Sequence, residues 1–425
     1  MTTGHLYYRR ATSTGIPIGS GFLAHQPGEV YGFRFWIDNL KLRLGYGQVG
    51  NAGISPYLAG GTLTRTPYNY GPGAAQGYAP STLPLDITWE KTNSANLGID
   101  FGFLKNRING TIDLYQTKSN QILSKRLPST SGFSSVQVNV GEVENKGIEL
   151  SLSTLNIAKP DFSWSTDIIF GVNEESINRL ETKADNIASQ WFIGQPLSVY
   201  YDYKFMGVFQ YADTVKGGIL KDYFWTKPGN RTNAAYQPGR AYVADLNGDT
   251  AITELDKIVL GSHNPKWTAS ISNTFTYKDF ELNVFIYARQ GSLIREMRPN
   301  LNGRYQSYKV DYWSPTNPSN QYAQPNNTID IQQYWQAMGF RDGSFVRVRN
   351  ISLTYRLPRK LLDHWKIPSL SAYVNVLNPF LFSEYKTADP ETVPYLSSYP
   401  TSSTSGPGPS SFNYRSFLVG VRLGL

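Results

Sequence analysis

The sequence predicts an all-β chain, part of an antiparallel transmembrane β-barrel: about ten strands of a larger barrel, with long extracellular loops. Three observations carry that expectation. The chain ends Phe417-Leu418-Val419-Gly420-Val421-Arg422-Leu423-Gly424-Leu425, so every second residue from Phe417 is apolar and those between are Leu418, Gly420, Arg422 and Gly424. A strand has a side-chain period of two, and one greasy face opposite a small or charged face suits a wall between lipid and a watery lumen. Aromatic residues make up 14%, with 29 Tyr, yet mean hydropathy is −0.37. No run approaches the ~18 apolar residues of a membrane helix. Finally, the connections between candidate strands alternate short with long, the habit of bacterial barrels.

The elements follow in order. Leu40, Leu42, Leu44 and Tyr46 alternate with Lys41, Arg43 and Gly45. Ala95, Leu97, Ile99, Phe101 and Phe103 alternate with Asn96, Gly98, Asp100 and Gly102, and a tight turn at Lys105-Asn106 leads into Ile108, Gly110, Ile112 and Leu114. Ile148, Leu150 and Leu152 precede a turn at Lys159-Pro160-Asp161, after which Phe162, Trp164, Thr166, Ile168 and Phe170 share a face. Trp267, Ala269, Ile271 and Phe275 precede a Lys278-Asp279 turn into Phe280, Leu282, Val284 and Ile286. Ser344–Leu357 and Leu370–Val376 form the last pair before the terminal strand, linked by residues 358–368. These are hairpins with turn residues where hairpins need them. Val346 and Val348 share one parity and Ile351, Leu353, Tyr355 and Leu357 the other, which predicts a bulge near Arg349-Asn350.

Long segments lie at 48–86, 119–144, 173–266, 291–342 and 379–412. With short turns in the periplasm and long loops outside, the terminal strand runs downward and the C-terminus is periplasmic. The parity requires Ser198–Gln210, though strand-like, to belong to an external loop. The absence of cysteine excludes disulfides, thiolate metal sites and a cysteine nucleophile. The net charge of +8 is spread without a basic run, so no nucleic-acid partner is expected. Four histidines, His5, His25, His263 and His364, lack the spacing of a metal site or triad, and acids such as Asp213 and Asp222 have no fixed separation, so no enzyme is expected.

Several runs resemble the C-terminal half of SusC/RagA-type TonB-dependent outer-membrane transporters of Bacteroidetes. They are Asp38–Arg43 through Tyr46–Asn51, Trp89–Thr92, Gly141–Leu150, Asp245–Asp249 and Phe345–Leu353, in that order. The resemblance covers residues 36–425, and residues 1–35 form an atypical N-terminal segment without a family match. It implies nutrient import across the outer membrane, of an oligosaccharide or a peptide, in contact with outer-membrane lipid. It also implies a SusD-like surface lipoprotein as lid and TonB as partner through an N-terminal half. A signal peptide, plug and earlier strands, which family members carry, are not recognised here, so the expectation is a truncated or split gene product or a fragment. The alternatives from other classes are a structural or adhesive outer-membrane barrel and a soluble glycan-binding β-protein.

The candidate site is Asp245–Asp256. Asp245, Asn247, Asp249 and Asp256 stand at positions one, three, five and twelve, with the Ala251 carbonyl at seven. That is the ligand spacing of an EF-hand-type Ca2+ loop, here a structural one in an external loop. Thr250 replaces the glycine at six and Asp256 the longer glutamate at twelve. The competing reading is a metal-free Asx-rich turn in which the same side chains cap backbone amides. The long segments also carry aromatic pairs, Tyr223 and Trp225, Tyr312 and Trp313, Tyr334 and Trp335, and Tyr395 and Tyr399. Such rings can stack on sugar rings, but each is expected first to pack loop against loop.

Overall fold

The computed structural model describes residues 36–51, 63–70, 73–82, 87–120, 122–127, 129–133, 135–139, 141–180, 182–215, 219–220, 237–249, 251–296, 311–325, 334, 336–365, 367–393 and 413–424. Residues 1–35 lie outside them. Ten strands form one sheet in chain order: β1 (Ile37–Asn51), β2 (Glu90–Phe103), β3 (Ile108–Ser119), β4 (Gly141–Ala158), β5 (Phe162–Leu180), β6 (Trp267–Tyr277), β7 (Phe280–Gln290), β8 (Phe345–Arg356), β9 (Ser369–Ser383) and β10 (Ser416–Gly424). The sheet is antiparallel, and β1 and β10 are its two edges, as the alternation of turns and loops requires. The chain divides into two compact units, Met1–Ser153 with Asn173–Leu197, and Thr154–Val172 with Ser198–Leu425.

In the first unit Leu40, Leu42 and Leu44 pair with Phe101, Ile99 and Leu97, and Ile99 and Leu97 pair in turn with Ile112 and Leu114. This row is apolar throughout. On the opposite face Arg43 reaches Asp100 at 2.8 Å and Asp113 at 3.0 Å. The turn between β2 and β3 takes Leu104, Lys105 and Asn106 into left-handed backbone at φ of 56 to 57°, and the Asn106 amide donates to Asp38 at 2.7 Å. β4 starts at Gly141 and β5 runs on to Leu180, beyond the lipid-facing alternation, because polar side chains tie these ends together and Val143, Ile177 and Leu180 pack a small core there. Asn178 donates to Glu142 at 3.1 Å and Glu144 at 2.6 Å, and Asn173 to Asn145 at 3.1 Å.

In the second unit one row crosses five strands, from Phe275 through Leu282, Leu353 and Val374 to Val419. The pairing of β8 skips Arg349 on both sides, stepping from Val348 to Asn350. The bulge predicted there is present, and it keeps Val346 and Val348 on the same face as Ile351 and Leu353. Asn273 falls on the apolar row, opposite Thr166. Its carbonyl oxygen accepts from Trp164 at 3.0 Å and Thr166 at 2.7 Å, which satisfies a polar group that hydrocarbon would otherwise penalise. The link between β8 and β9 holds a short helix, α1 (Arg359–Trp365), which the strand-based reading missed. Pro358 precedes it and Pro368 follows it, and Leu362 anchors it from a buried position.

Ser198–Gln210 stays outside the ten-stranded sheet, as expected. Val199–Tyr203 pairs with Lys257–Ser262, and Phe205–Val208 with Ala241–Val243. The distribution of burial is inverted relative to a water-soluble sandwich. Ile148, Leu353 and Val374 are 45%, 45% and 42% exposed in the middle of inner strands of the sheet. The buried clusters belong to the connections and strand ends: Val143, Ile177, Leu180 and Trp191 in the first unit, and Ile294, Tyr385, Ala388 and Val393 in the second. Trp267 and Tyr277 bound the outward row of β6 on one face, ten residues apart. That is about 33 Å along the strand and about 25 Å across a membrane at a tilt near 40°, the height of an outer-membrane apolar band.

Candidate functional site

A cavity of about 630 Å3 opens among the loops of the second unit. Phe205 enters it from Phe205–Val208, Asn320, Gln321 and Tyr322 from the 311–325 segment, Arg341 and Asp342 from Phe340–Asp342, and Glu384 to Thr387 from the chain leaving β9. Its floor is built by pairing Leu293–Arg295 with Phe340–Asp342, which brings buried Glu296 beneath Tyr322. The Tyr322 hydroxyl lies 2.8 and 3.0 Å from the two Glu296 oxygens, and Arg341 stands 3.7 Å from the same carboxylate. Burial pushes the Tyr322 hydroxyl above its ordinary pKa and the Glu296 charge adds to the rise, so this phenol is a donor at neutral pH. Arg341 donates to the carbonyls of Met338 at 2.5 Å and Phe340 at 3.0 Å.

The chain that supplies Glu384 to Thr387 is tied to the wall just beyond the cavity. Arg347 of β8 donates to Asp389 at 2.5 Å and its Nε stands 3.2 Å from Glu391, while Arg349 pairs with the same Glu391. The side chains of Arg347 and Asp389 are each only 2% exposed. Asp389 also accepts from the amides of Glu391 at 3.0 Å and Asn413 at 3.3 Å. The sequence reading named none of Glu296, Tyr322, Arg341, Glu384, Lys386 or Asp389 as site residues. The one available signal was Arg347 and Arg349 at alternate positions of a wall strand, opposite in parity to its apolar residues.

The sequence-predicted loop is compact. Asp245 accepts from the Gly248 amide at 2.8 Å, Asn247 from Asp249 at 2.8 Å, and Asp249 from Ala251 at 2.8 Å, while Thr250 lies outside the described residues. Asp256 is fully buried; Oδ1 accepts from Leu246 at 2.9 Å and Oδ2 from Thr253 at 2.7 Å. Burial would push its carboxyl up, but the Thr253, Leu246 and Asn247 amides outweigh that and hold it below the ordinary carboxylate value. The fit to calcium is partial: Asp256, the twelfth-position ligand, is already committed to amides through both oxygens. Among the described residues no three His, Asp or Glu side chains are grouped to hold a metal.

Of the described aromatic residues, Trp313 and Tyr334 pack loops, whereas Tyr312 is 44% exposed. Trp313 is buried, donates to Gln210 at 2.8 Å and lies tilted against Tyr211 at 5.5 Å, and Tyr334 meets Tyr203 edge-on at 5.3 Å. Tyr223, Trp225, Trp335, Tyr395, Tyr399, His5, His25 and Asp222 lie outside the described residues. Asp213 accepts from the Gln210 amide at 2.8 Å, a local turn contact. Burial, with Arg289 nearby, pushes His263 below its ordinary pKa, and its carbonyl accepts from Arg289 at 2.7 Å.

With the wall and the loop cavity established, comparison with known proteins is decisive. The family model described as "TonB dependent receptor-like, beta-barrel" matches residues 30–378. The chain belongs to that family. It is 30% identical over 373 residues to TonB-dependent receptor P3 of Formosa agariphila, covering 84% of this chain and 36% of that protein. It is 25% identical over 382 residues to TonB-dependent receptor SusC of Bacteroides thetaiotaomicron, covering 84% and 35%. The fold matches a structure of the RagAB peptide transporter with a TM-score of 0.69 at 21% identity, over 92% of this chain and 41% of that one. The chain therefore spans little more than a third of the length of the curated relatives it matches. TonB-dependent receptor barrels belong to the outer membrane, and SusC-type transporters are the branch this chain resembles.

Proposed function

We propose that this chain supplies wall strands and external loops to an outer-membrane nutrient importer of SusC type, and that the loop cavity holds solute on its way in. The observation that carries the reading is the inverted burial: apolar side chains exposed in register across the strands, over the height of a membrane, with the core held in the loops. A sheet so arranged is stable with lipid on one face and water on the other, and the loops offer the solute a polar, preformed surface. TonB drives uptake in the importer. A SusD-like surface lipoprotein covers the loops, and the solute is an oligosaccharide or a peptide. The short turns at Lys105, Lys159 and Lys278 face the periplasm, as does the C-terminus.

The chain has no cysteine, which makes the orientation directly testable. A single cysteine at Lys278 should resist a membrane-impermeant maleimide in intact cells, and one at Leu255 should react; the reverse pattern rejects the topology. Recovery in the soluble fraction, or uptake unaffected by loss of the proton-motive force, rejects the importer. Calcium at Asp245–Asp256 is proposed on the spacing of its oxygens alone. Calorimetry that detects no heat on adding Ca2+ assigns the loop to its Asx turns.

A further inference from the structure

We infer that Asn247-Gly248 is a self-modifying site: the Gly248 amide attacks the Asn247 side chain, ammonia leaves, and the loop gains a carboxylate at position 247. The sequence carries three Asn-Gly pairs, Asn109-Gly110, Asn247-Gly248 and Asn302-Gly303, the last outside the described residues. Any Asn followed by Gly is open to this reaction, because the succinimide ring closes within the chain and the attacking residue has no side chain in the way. What separates one pair from another is its surroundings.

At Asn247 those surroundings supply each part of the step. The nucleophile is the Gly248 nitrogen, whose N–H donates to Asp245 Oδ1 at 2.8 Å. A carboxylate is thus placed to take the proton, while the out-of-plane density of the nitrogen is left for attack. The Asn247 Oδ1 accepts from the Asp249 amide at 2.8 Å, which polarises the carbonyl and stabilises the oxyanion of the tetrahedral intermediate. The leaving group, Asn247 Nδ2, donates to Asp249 Oδ2 at 3.1 Å. Asn247, Gly248 and Asp249 are exposed, so water reaches the ring. The bond that forms joins Gly248 N to Asn247 Cγ, and the bond that breaks is Cγ–Nδ2. The Gly248 proton passes by way of Asp245 to Nδ2, which departs as ammonia, and one water then opens the ring to an aspartyl or isoaspartyl residue. The product has lost the donor that held Asp249 and sets a further carboxylate beside Asp245 and Asp249, so the modification loosens the turn that promoted it. Asn109-Gly110 has the same chemistry in another setting. Gly110 is fixed in β3 opposite Phe101, whose ring lies where a Cβ would stand, and Asn109 donates to the Asn106 carbonyl at 2.6 Å.

The test is peptide mass spectrometry on protein purified from outer membranes and held at neutral pH, folded in detergent or unfolded in urea. EDTA is present throughout, so that no cation competes for Asp245 and Asp249. Conversion at Asn247 should run about tenfold faster in the folded chain than in the unfolded one, a modest gain because a carboxylate is a weak base toward an amide. Conversion at Asn109 should instead be slower folded than unfolded. Asp245→Asn should remove the gain at Asn247 and leave the unfolded rate unchanged. If the same three hydrogen bonds only lock the turn, conversion at Asn247 is slower in the folded parent than in the unfolded one and Asp245→Asn speeds it. Either result overturns the inference. Where Asp245→Asn opens the loop altogether, the folded and unfolded rates of the parent still decide.

Discussion

Replacing Asp389 by Asn should free the segment from Glu384 to Val393 from the barrel wall while leaving the wall itself folded. The Arg347–Asp389 pair joins two side chains that are each 2% exposed, at 2.5 Å. Removing one charge from a buried pair costs about 3–5 kcal/mol, because the remaining ion is left uncompensated. Glu391 stays 3.2 Å from Arg347 Nε and its side chain is 29% exposed, so it compensates in part and places the cost near the lower end, about 3 kcal/mol. That corresponds to an opened population roughly 100-fold larger. Trypsin reads it: Lys386 is exposed but lies in a segment that must unfold locally to enter a protease site. When opening and closing outpace cleavage, the cleavage rate follows the open population, so Asp389→Asn should be cut at Lys386 about 100-fold faster than the parent. The double variant Arg347→Met with Asp389→Leu removes both charges and should recover most of that loss. Parental cleavage in the single variant, or equal sensitivity in single and double variants, would show that packing and not charge holds the segment.

Three further outcomes follow from other parts of the chain. Val419→Lys on the outward row should cost about 2–4 kcal/mol of barrel stability, read as lost heat-modifiability on gels, whereas Ser352→Lys on the opposite face should be tolerated; equal losses would refute the assignment of faces. Gly141→Ala should lower the thermal midpoint more than Gly248→Ala, because Gly141 combines φ of +119° with a Cβ position blocked by the Arg179 carbonyl, while Gly248, at φ +72°, has open space. Asp256 is held below its ordinary pKa, so its contribution to loop stability is full above the unfolded value and is lost as pH falls below about 4. Asp256→Asn should therefore speed amide exchange of Leu246 and Thr253 at pH 7, and the parent should approach the variant in acid; no pH dependence in the parent would refute it.

The wall was legible because its physics is local. Each strand meets lipid on one side, so Leu40 to Tyr46 or Phe280 to Ile286 announce themselves by a period of two, and the turns at Lys105 and Lys278 sit where hairpins need them. The ends of β4 and β5 were less legible, since there Val143, Ile177 and Leu180 pack a small loop core while Glu142, Glu144 and Asn178 bond to one another, and no lipid-facing row continues to carry the signal. Helix α1 was missed for a similar reason: seven residues between two prolines are too few to show a 3.6-residue period. The cavity was least legible. Phe205, Tyr322 and Glu384 come together only after three long connections have packed, and nothing in their neighbours in sequence anticipates it. At Asp245–Asp256 spacing alone favoured calcium over an Asx turn, and the commitment of Asp256 to the Leu246 and Thr253 amides became visible only in three dimensions.

The phase slip at Arg349 ties the legible part to the illegible one. Above the bulge, Phe345, Arg347 and Arg349 point away from lipid. Phe345 is buried, Arg347 and Arg349 grip Asp389 and Glu391, and Arg349 lies 4.2 Å over the ring of Tyr287. Below it, Asn350, Ser352 and Thr354 take the same side, and Asn350 and Ser352 are paired with Phe285 and Asn283 on one neighbour and with Leu377 and Asn375 on the other. An unbroken alternation from Phe345 would send Asn350, Ser352 and Thr354 into lipid and Ile351 and Leu353 into the lumen. One inserted residue prevents that, so β8 can present two arginines to the external loops and still keep its apolar row outward. Deleting Arg349 removes the extra residue itself, so it should leave an unbroken alternation against β7, with Arg347 still turned from lipid and Ile351 and Leu353 still outward, and it should lose the contacts of Arg349 with Glu391 and Tyr287 just as Arg349→Ala does. A deletion variant that assembles much worse than Arg349→Ala would show that the bulge itself, and not only the side chain it adds, holds the strand.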